Sequence, residues 1–113
     1  MGRYAILKKE FSFLEVEYGF EANMRQEHGG YYFITWTNGK RNILVLYDDQ
    51  TDVRKKSPVW IRIYDADCFG TAYDDVDVYR EELNIAHGSP KERIRYAANW
   101  LRETIERGVV RIE

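Results

Sequence analysis

The groups that could do chemistry in this chain are concentrated between residues 65 and 82. This stretch, the acidic segment, holds seven carboxylates against the single base Arg80, a net charge of −6 in a chain whose total is −2. Three aromatic residues, Phe69, Tyr73 and Tyr79, are interleaved with the acids. Charge steers an encounter with a partner of opposite sign, and aromatic side chains anchor it. The pattern therefore predicts a docking surface, and the alternative is a solvated loop that its charge keeps soluble.

The residues that we expect to touch a partner all lie in the acidic segment. They are Asp65, Asp67, Phe69, Tyr73, Asp74, Asp75, Asp77, Tyr79 and Glu81. A protein with a basic surface is a partner of the right sign. Nucleic acid is not, because binding to phosphates requires an excess of basic residues that this chain lacks.

A metal site in the acidic segment fits less well. Asp65 and Asp67 open the segment in the manner of a calcium-binding loop. The fifth and twelfth positions of that loop would be Phe69 and Val76, which offer no side-chain oxygen. We therefore expect neither a metal ion nor another cofactor.

Catalysis is a further possibility, since Cys68 and His87 could act as a nucleophile and its base. Acids beside a thiol disfavour its reactive thiolate form, and Cys68 has Asp65 and Asp67 close by in the sequence. We expect a protein that is not an enzyme. An enzyme built on the clustered carboxylates ranks behind the binding interpretations.

Composition bounds the architecture. A length of 113 residues with 44% apolar content suits one globular domain, residues 1–113. The single cysteine cannot form an internal disulfide, so the fold does not depend on an oxidising compartment. No apolar run approaches the roughly 20 residues that span a bilayer. These features predict a cytoplasmic location without membrane contact.

Hairpin turns dominate the middle of the chain. Two dipeptides, Gly29-Gly30 and Asn38-Gly39, tolerate the positive φ angles of tight turns and are too short for parallel connections. They predict antiparallel strands over residues 20–28, 31–37 and 42–48, and a fourth strand follows at 59–64. In the first strand, simple alternation places Ala22 and Met24 on one face and Asn23 and Arg25 on the other.

Helices frame these strands. Apolar residues at spacings of three and four predict a first helix that ends at Gly19; they are Tyr4, Leu7, Phe11, Leu14 and Tyr18. Ser89, Pro90 and Glu92 form the capping signal of a second helix. Its apolar stripe is Ile94, Ala97, Ala98, Leu101 and Ile105. The prediction is an α+β fold, a four-stranded antiparallel meander with both helices packed on one face. Residues 109–112 would add a final strand or an extended segment.

The central strands raise a question about the other face of the sheet. Residues 31–36 and 43–47 are apolar on both faces, so something must cover the face that the helices leave free. Either residues 65–89 fold back over it, or Trp60 and Tyr64 stay partly open as a patch for a partner or for a second copy of the chain. Self-association through this face would make the chain a structural or regulatory domain, which is the alternative to a binding protein for a basic partner.

The helices also carry bases. Arg95 and Arg102 are a heptad apart and share one helix face, so contact with phosphate is conceivable. Glutamates dilute that face, which favours an ordinary exterior of ion pairs.

A family resemblance completes the sequence evidence. Residues 10–20 read EFSFLEVEYGF, and an aromatic meander with an Asn-Gly turn and a closing amphipathic helix follow. This pattern resembles small bacterial proteins that include immunity proteins of polymorphic toxin systems. The resemblance implies a cytosolic protein that binds and blocks a toxin, whose domain would supply the basic surface. It supplies no catalytic residues.

Overall fold

Five strands and three helices make up the described fold. The computed structural model describes residues 2–49, 58–66, 75–76 and 88–113. The helices are α1 Arg3–Glu10, α2 Phe13–Val16 and α3 Pro90–Glu106. The strands are β1 Glu21–His28, β2 Tyr31–Thr37, β3 Arg41–Asp48, β4 Val59–Asp65 and β5 Asp75–Val76. They form one sheet in the order β1-β2-β3-β4-β5 with every neighbouring pair antiparallel. The predicted α+β meander is confirmed, and β5 extends it by two residues.

Both hairpin turns adopt the conformations that their residues predict. Gly29 and Gly30 take φ angles of 56° and 93° between β1 and β2. At the next turn the Asn38 side-chain oxygen accepts hydrogen bonds from the backbone N–H of Lys40 at 2.9 Å and of Arg41 at 2.7 Å. Gly39 takes a φ of 89°. Both predicted antiparallel pairings, of β2 with β1 and with β3, are confirmed.

The N-terminal helix is broken, which the apolar spacing did not predict. Ser12 N–H bonds to the carbonyl of Lys9 and Leu14 N–H to that of Phe11, so the chain tightens to three-residue bonds between α1 and α2. On a regular helix Phe11 and Phe13 would point to different sides because residues two apart do not share a face. The break lets both enter the core, where their rings stack with centroids 6.2 Å apart. Gly19 still ends the helical region, with a φ of 72°.

A bulge in β1 overturns the predicted alternation. Ala22 pairs with Trp36 and Met24 with Thr35, which leaves Asn23 as an extra residue in β1. One inserted residue moves everything after it to the opposite face. Arg25 consequently stands opposite Ile34, at a register position on the helix-covered face of the sheet.

The core lies between the helices and that face. β3 contributes Ile43, Val45 and Tyr47, which are wholly buried. All five stripe residues of α3 are also buried, as predicted: Ile94, Ala97, Ala98, Leu101 and Ile105. The predicted capping box is present, since Ser89 and Glu92 each accept a hydrogen bond from the other's backbone N–H. None of the helices in the described ranges has the length and apolar character needed to cross a membrane.

The C-terminal tail does not form a strand, because residues 109–110 bend back so that both N–H groups bond to the carbonyl of Thr104. Val110 is buried in the core, and two side chains of the β2–β3 turn region hold the backbone beyond it. Asn38 donates through Nδ2 to the carbonyl of Ile112 at 2.7 Å, and Arg41 donates through Nε to the carbonyl of Arg111 at 3.1 Å. The tail therefore closes one end of the core.

Truncating the core stripe should destabilise the protein. Phe11 and Leu101 have no exposed surface, so replacing either by Ala loses buried contacts and leaves a cavity, at a cost of about 2–5 kcal/mol in the free energy of unfolding. Denaturant melts measure this. Val16 is 83% exposed, so Val16→Ala is the control and should change stability by less than about 0.5 kcal/mol. Core variants that melt like the control would contradict the assigned core.

Candidate partner-binding surface

The sheet holds the acidic segment at two points. The segment begins at Asp65, the last residue of β4, and Asp75 with Val76 returns as β5 to pair with Ile63 and Arg62 of β4. The other predicted contact residues lie outside the described residues; these are Asp67, Phe69, Tyr73, Asp74, Asp77, Tyr79 and Glu81. The described part of the segment therefore runs along the β4 edge of the sheet.

Asp65 is engaged by the fold itself. Its Oδ1 lies 2.6 Å from Nη1 of Arg41, whose side chain is only 1% exposed, and 3.7 Å from Nη2 of Arg111. Burying a guanidinium away from water costs free energy of desolvation unless a close counter-charge compensates it. Asp65 supplies that counter-charge, and the adjacent Ala66 N–H bonds to the carbonyl of Lys40 at 2.9 Å. The start of the acidic segment is thereby fixed to the β2–β3 turn region.

Sequence analysis missed Arg41, although a signal for it was present. Residues 41, 43, 45 and 47 alternate inward along β3, and the period of two continues through Arg41 to the core face. An arginine in phase with three buried apolar residues predicts a buried charge and a nearby acid.

The face opposite the helices, called here the second face, carries an apolar row. Phe33, Leu46 and Trp60 are direct neighbours across β2, β3 and β4, and all three are half-buried. A depression of about 170 Å³ next to this row is lined by Leu44, Leu46, Trp60, Ile61 and Arg62. The predicted cover by residues 65–89 falls almost entirely outside the described residues. The row ends on β4 at Trp60, and the described residues of β5 pair with Arg62 and Ile63 of the same strand.

The exterior of α3 is an ion-paired surface. Arg95 lies 3.2 Å from Glu10 of α1, and Arg102 pairs with Glu17 and with Glu106. Two of these pairs link α3 to α1 and to the end of α2, and all three place a carboxylate on a base that could have contacted phosphate. The expectation of an ordinary ion-paired exterior is confirmed for these two arginines.

A buried tyrosine marks the other end of the sheet. Tyr47 has no exposed surface, and its burial raises the pKa of its hydroxyl above the ordinary value of 10.0. Arg93 opposes that rise in pKa and Asp49 adds to it. Asp49 itself pairs with Arg3 through two hydrogen bonds of 3.1 and 3.2 Å.

Catalytic and metal chemistry finds no support in the described residues. Cys68 and His87 lie outside them, as does the side chain of His28. Within the described ranges, no three His, Cys, Asp or Glu side chains converge on a point that could hold a metal ion.

Removing the counter-charge of Arg41 should destabilise the protein. Asp65→Asn removes the carboxylate that lies 2.6 Å from the buried guanidinium, and we expect a loss of about 1–3 kcal/mol in the free energy of unfolding. The double variant Asp65→Asn with Arg41→Met should recover part of that loss because no buried charge remains. Denaturant melts compare these variants with Glu103→Gln, an exposed control. Asp65→Asn melting like this control would refute the role of the pair.

Ionisation of the Tyr47 hydroxyl should lower the free energy of unfolding at alkaline pH. The unfolded chain releases this proton at a lower pH than the folded protein does. The stability contributed by the neutral phenol is therefore complete below pH 10 and is lost as the pH rises through the folded-state pKa. Urea melts at about pH 8 and about pH 11 should show a smaller loss for Tyr47→Phe than for wild type. Tyr31→Phe, at a 41% exposed position, should keep the wild-type loss. Equal losses in both variants would contradict this assignment.

Comparison with known proteins finds no family model, curated protein or solved structure that matches the chain. The case for a function therefore depends on the residues and geometry described above.

Proposed function

We propose that this chain is a non-enzymatic binding protein that holds a basic protein partner on the acidic segment and the adjoining second face. The observation that carries the proposal is the return of the acidic segment to the sheet as β5. Because of that pairing, the two described points of a segment with net charge −6, Asp65 and Asp75, lie on or beside β4, the strand on which the apolar row ends at Trp60. Charge and apolar surface in one place are the two ingredients of a protein interface.

The apolar row supplies the anchor. Trp60 is half-buried between Leu46 and the depression beside Arg62, and tryptophan is among the residues that contribute most to binding energy when a partner covers them. Phe33 and Leu46 extend the contact across two more strands. A partner side chain seated in the 170 Å³ depression would complete the burial of this surface.

The carboxylates of the acidic segment would speed association with a basic partner. Asp65 is committed to Arg41, so the remaining acids of the segment provide the field that a basic partner meets first. Exposed charges act over about a Debye length, roughly 8 Å at physiological salt. They accelerate association more than they slow dissociation, so capture should depend strongly on salt.

A basic toxin domain is the partner that we propose. The resemblance of residues 10–20 and of the meander to immunity proteins supports this choice, and the acidic surface supports it independently, since nuclease toxins present basic clefts. In this role the protein neutralises the toxin by occupying its cleft and acts in the bacterial cytoplasm.

Self-association through the second face is the second candidate, and the apolar row favours it. Two copies docked on this face would bring two acidic segments together, and their like charges oppose such a dimer. Sedimentation equilibrium decides between the candidates. A dimer that Trp60→Glu converts to monomer would favour self-association, and a monomeric wild type would favour an external partner.

Neutralising acids should slow capture of the partner. The triple variant Asp74→Asn, Asp75→Asn and Asp77→Asn is compared with Glu21→Gln, Glu103→Gln and Glu113→Gln, a control with the same change in charge. The partner used is the proposed toxin, which we expect to be encoded by the gene beside that of this chain, and its association is measured at several salt concentrations. The variant with the three Asp→Asn changes should associate more slowly and with a weaker salt dependence than the control. Equal effects of the two triple variants would show that only the net charge of the protein matters.

Truncating Trp60 tests the apolar row. Trp60→Ala should weaken binding by about 2 kcal/mol, and unchanged binding would remove the apolar row from the interface.

A further inference from the structure

Two depressions that share Arg25 lie between α1 and the sheet, near the β1 edge that is opposite the acidic segment, and together they are called here the groove. Its larger part, about 570 Å³, is lined by the first turn of α1 together with Arg25, Tyr32 and Asp49. A second part of about 260 Å³ is lined by Lys8, Ala22, Asn23, Arg25 and Ile34. Arg25 borders both parts, so it stands at the middle of the groove.

The bulge at Asn23 is what places Arg25 there. Without the extra residue, Arg25 would fall on the second face, and with it Arg25 stands opposite Ile34 on the helix-covered face. Bulges at sheet edges commonly re-aim a side chain. Here the re-aimed side chain is a guanidinium whose carbon lies 4.7 Å from the centre of the Tyr4 ring.

Arg25 differs from the other cations of the groove in its partners. Arg3 is bound by both oxygens of Asp49, and Lys8 is paired with Glu15 at 2.7 Å. Among the residues whose side chains are described, Arg25 has no carboxylate partner, and the aromatic face of Tyr4 is its contact. A guanidinium that lies over a ring face keeps N–H groups available for an anion.

We propose that this groove binds a small molecule that carries a phosphate or a carboxylate on an aromatic ring. Arg25 binds the anionic group through paired N–H donors. The rings of Tyr4 and Tyr32, packed edge to face with centroids 5.4 Å apart, offer an aromatic wall beside it. This site is independent of the acidic segment, and its test does not depend on the proposed binding of a basic protein.

The test is a titration of the ¹⁵N-labelled protein followed by NMR, which reads the Arg25 side-chain Nε–H and the backbone amides of residues 3–5. The probes are phenyl phosphate, benzoate, inorganic phosphate and phenol. The two aromatic anions should give saturable shifts at these signals, and the tighter of the two identifies the anionic group. Arg25→Gln should weaken their binding about tenfold, the loss of one charge-assisted pair. Arg25→Lys should recover only part of the affinity, because it restores the charge and not the fork.

Arg107→Gln, which removes an exposed arginine at the end of α3, is the control and should bind as wild type does. The amide spectrum of each variant shows directly whether it is folded. The proposal fails if the shifts do not saturate, or if Arg25→Gln binds as tightly as wild type. It also fails if Arg107→Gln loses as much affinity as Arg25→Gln, or if phenol binds as tightly as phenyl phosphate.

Discussion

A buried guanidinium organises one end of this protein. Arg41 points from β3 into the core in phase with Ile43 and Val45, and a charge that has left water needs partners at close range. It takes the carboxylate of Asp65 and the carbonyl of Arg111. This one side chain joins the β2–β3 turn region, the start of the acidic segment and the C-terminal tail. The acidic segment thus departs from a point that the core holds in place.

One face of the sheet forms the core, and the other is the face that we propose for recognition. The helices bury one face completely at its centre, where Trp36 and Val45 have no exposed surface. The second face keeps the row of Phe33, Leu46 and Trp60 half-buried. Apolar side chains that the fold leaves partly covered still gain free energy when a partner covers them. A sheet that is apolar on both faces can therefore stabilise its own core and still carry a binding surface.

The two proposed sites lie at opposite edges of the sheet. The acidic segment joins the sheet at β5, and β1 at the opposite edge carries Arg25 with Lys8 of α1 nearby. The strands between these edges separate Arg25 from the acidic segment. A basic protein and a small anion would therefore be drawn to different edges, and neither site needs the other.

Local chemistry in the sequence determined the turns, the caps and the antiparallel order, because a two-residue turn or a capping box involves only neighbours in the chain. It also determined the buried stripe of α3, and it located the acidic segment as the candidate surface. The tertiary structure alone decided the break at Ser12, the bulge at Asn23 and the pairing of Arg41 with Asp65. Each of these features depends on residues that are distant in sequence. The break lets two phenylalanines enter one core, and the bulge places Arg25 beside α1. The buried Arg41 pairs with a counter-charge 24 positions away. Propensity and periodicity report what a segment prefers by itself, and these features exist because separate segments meet.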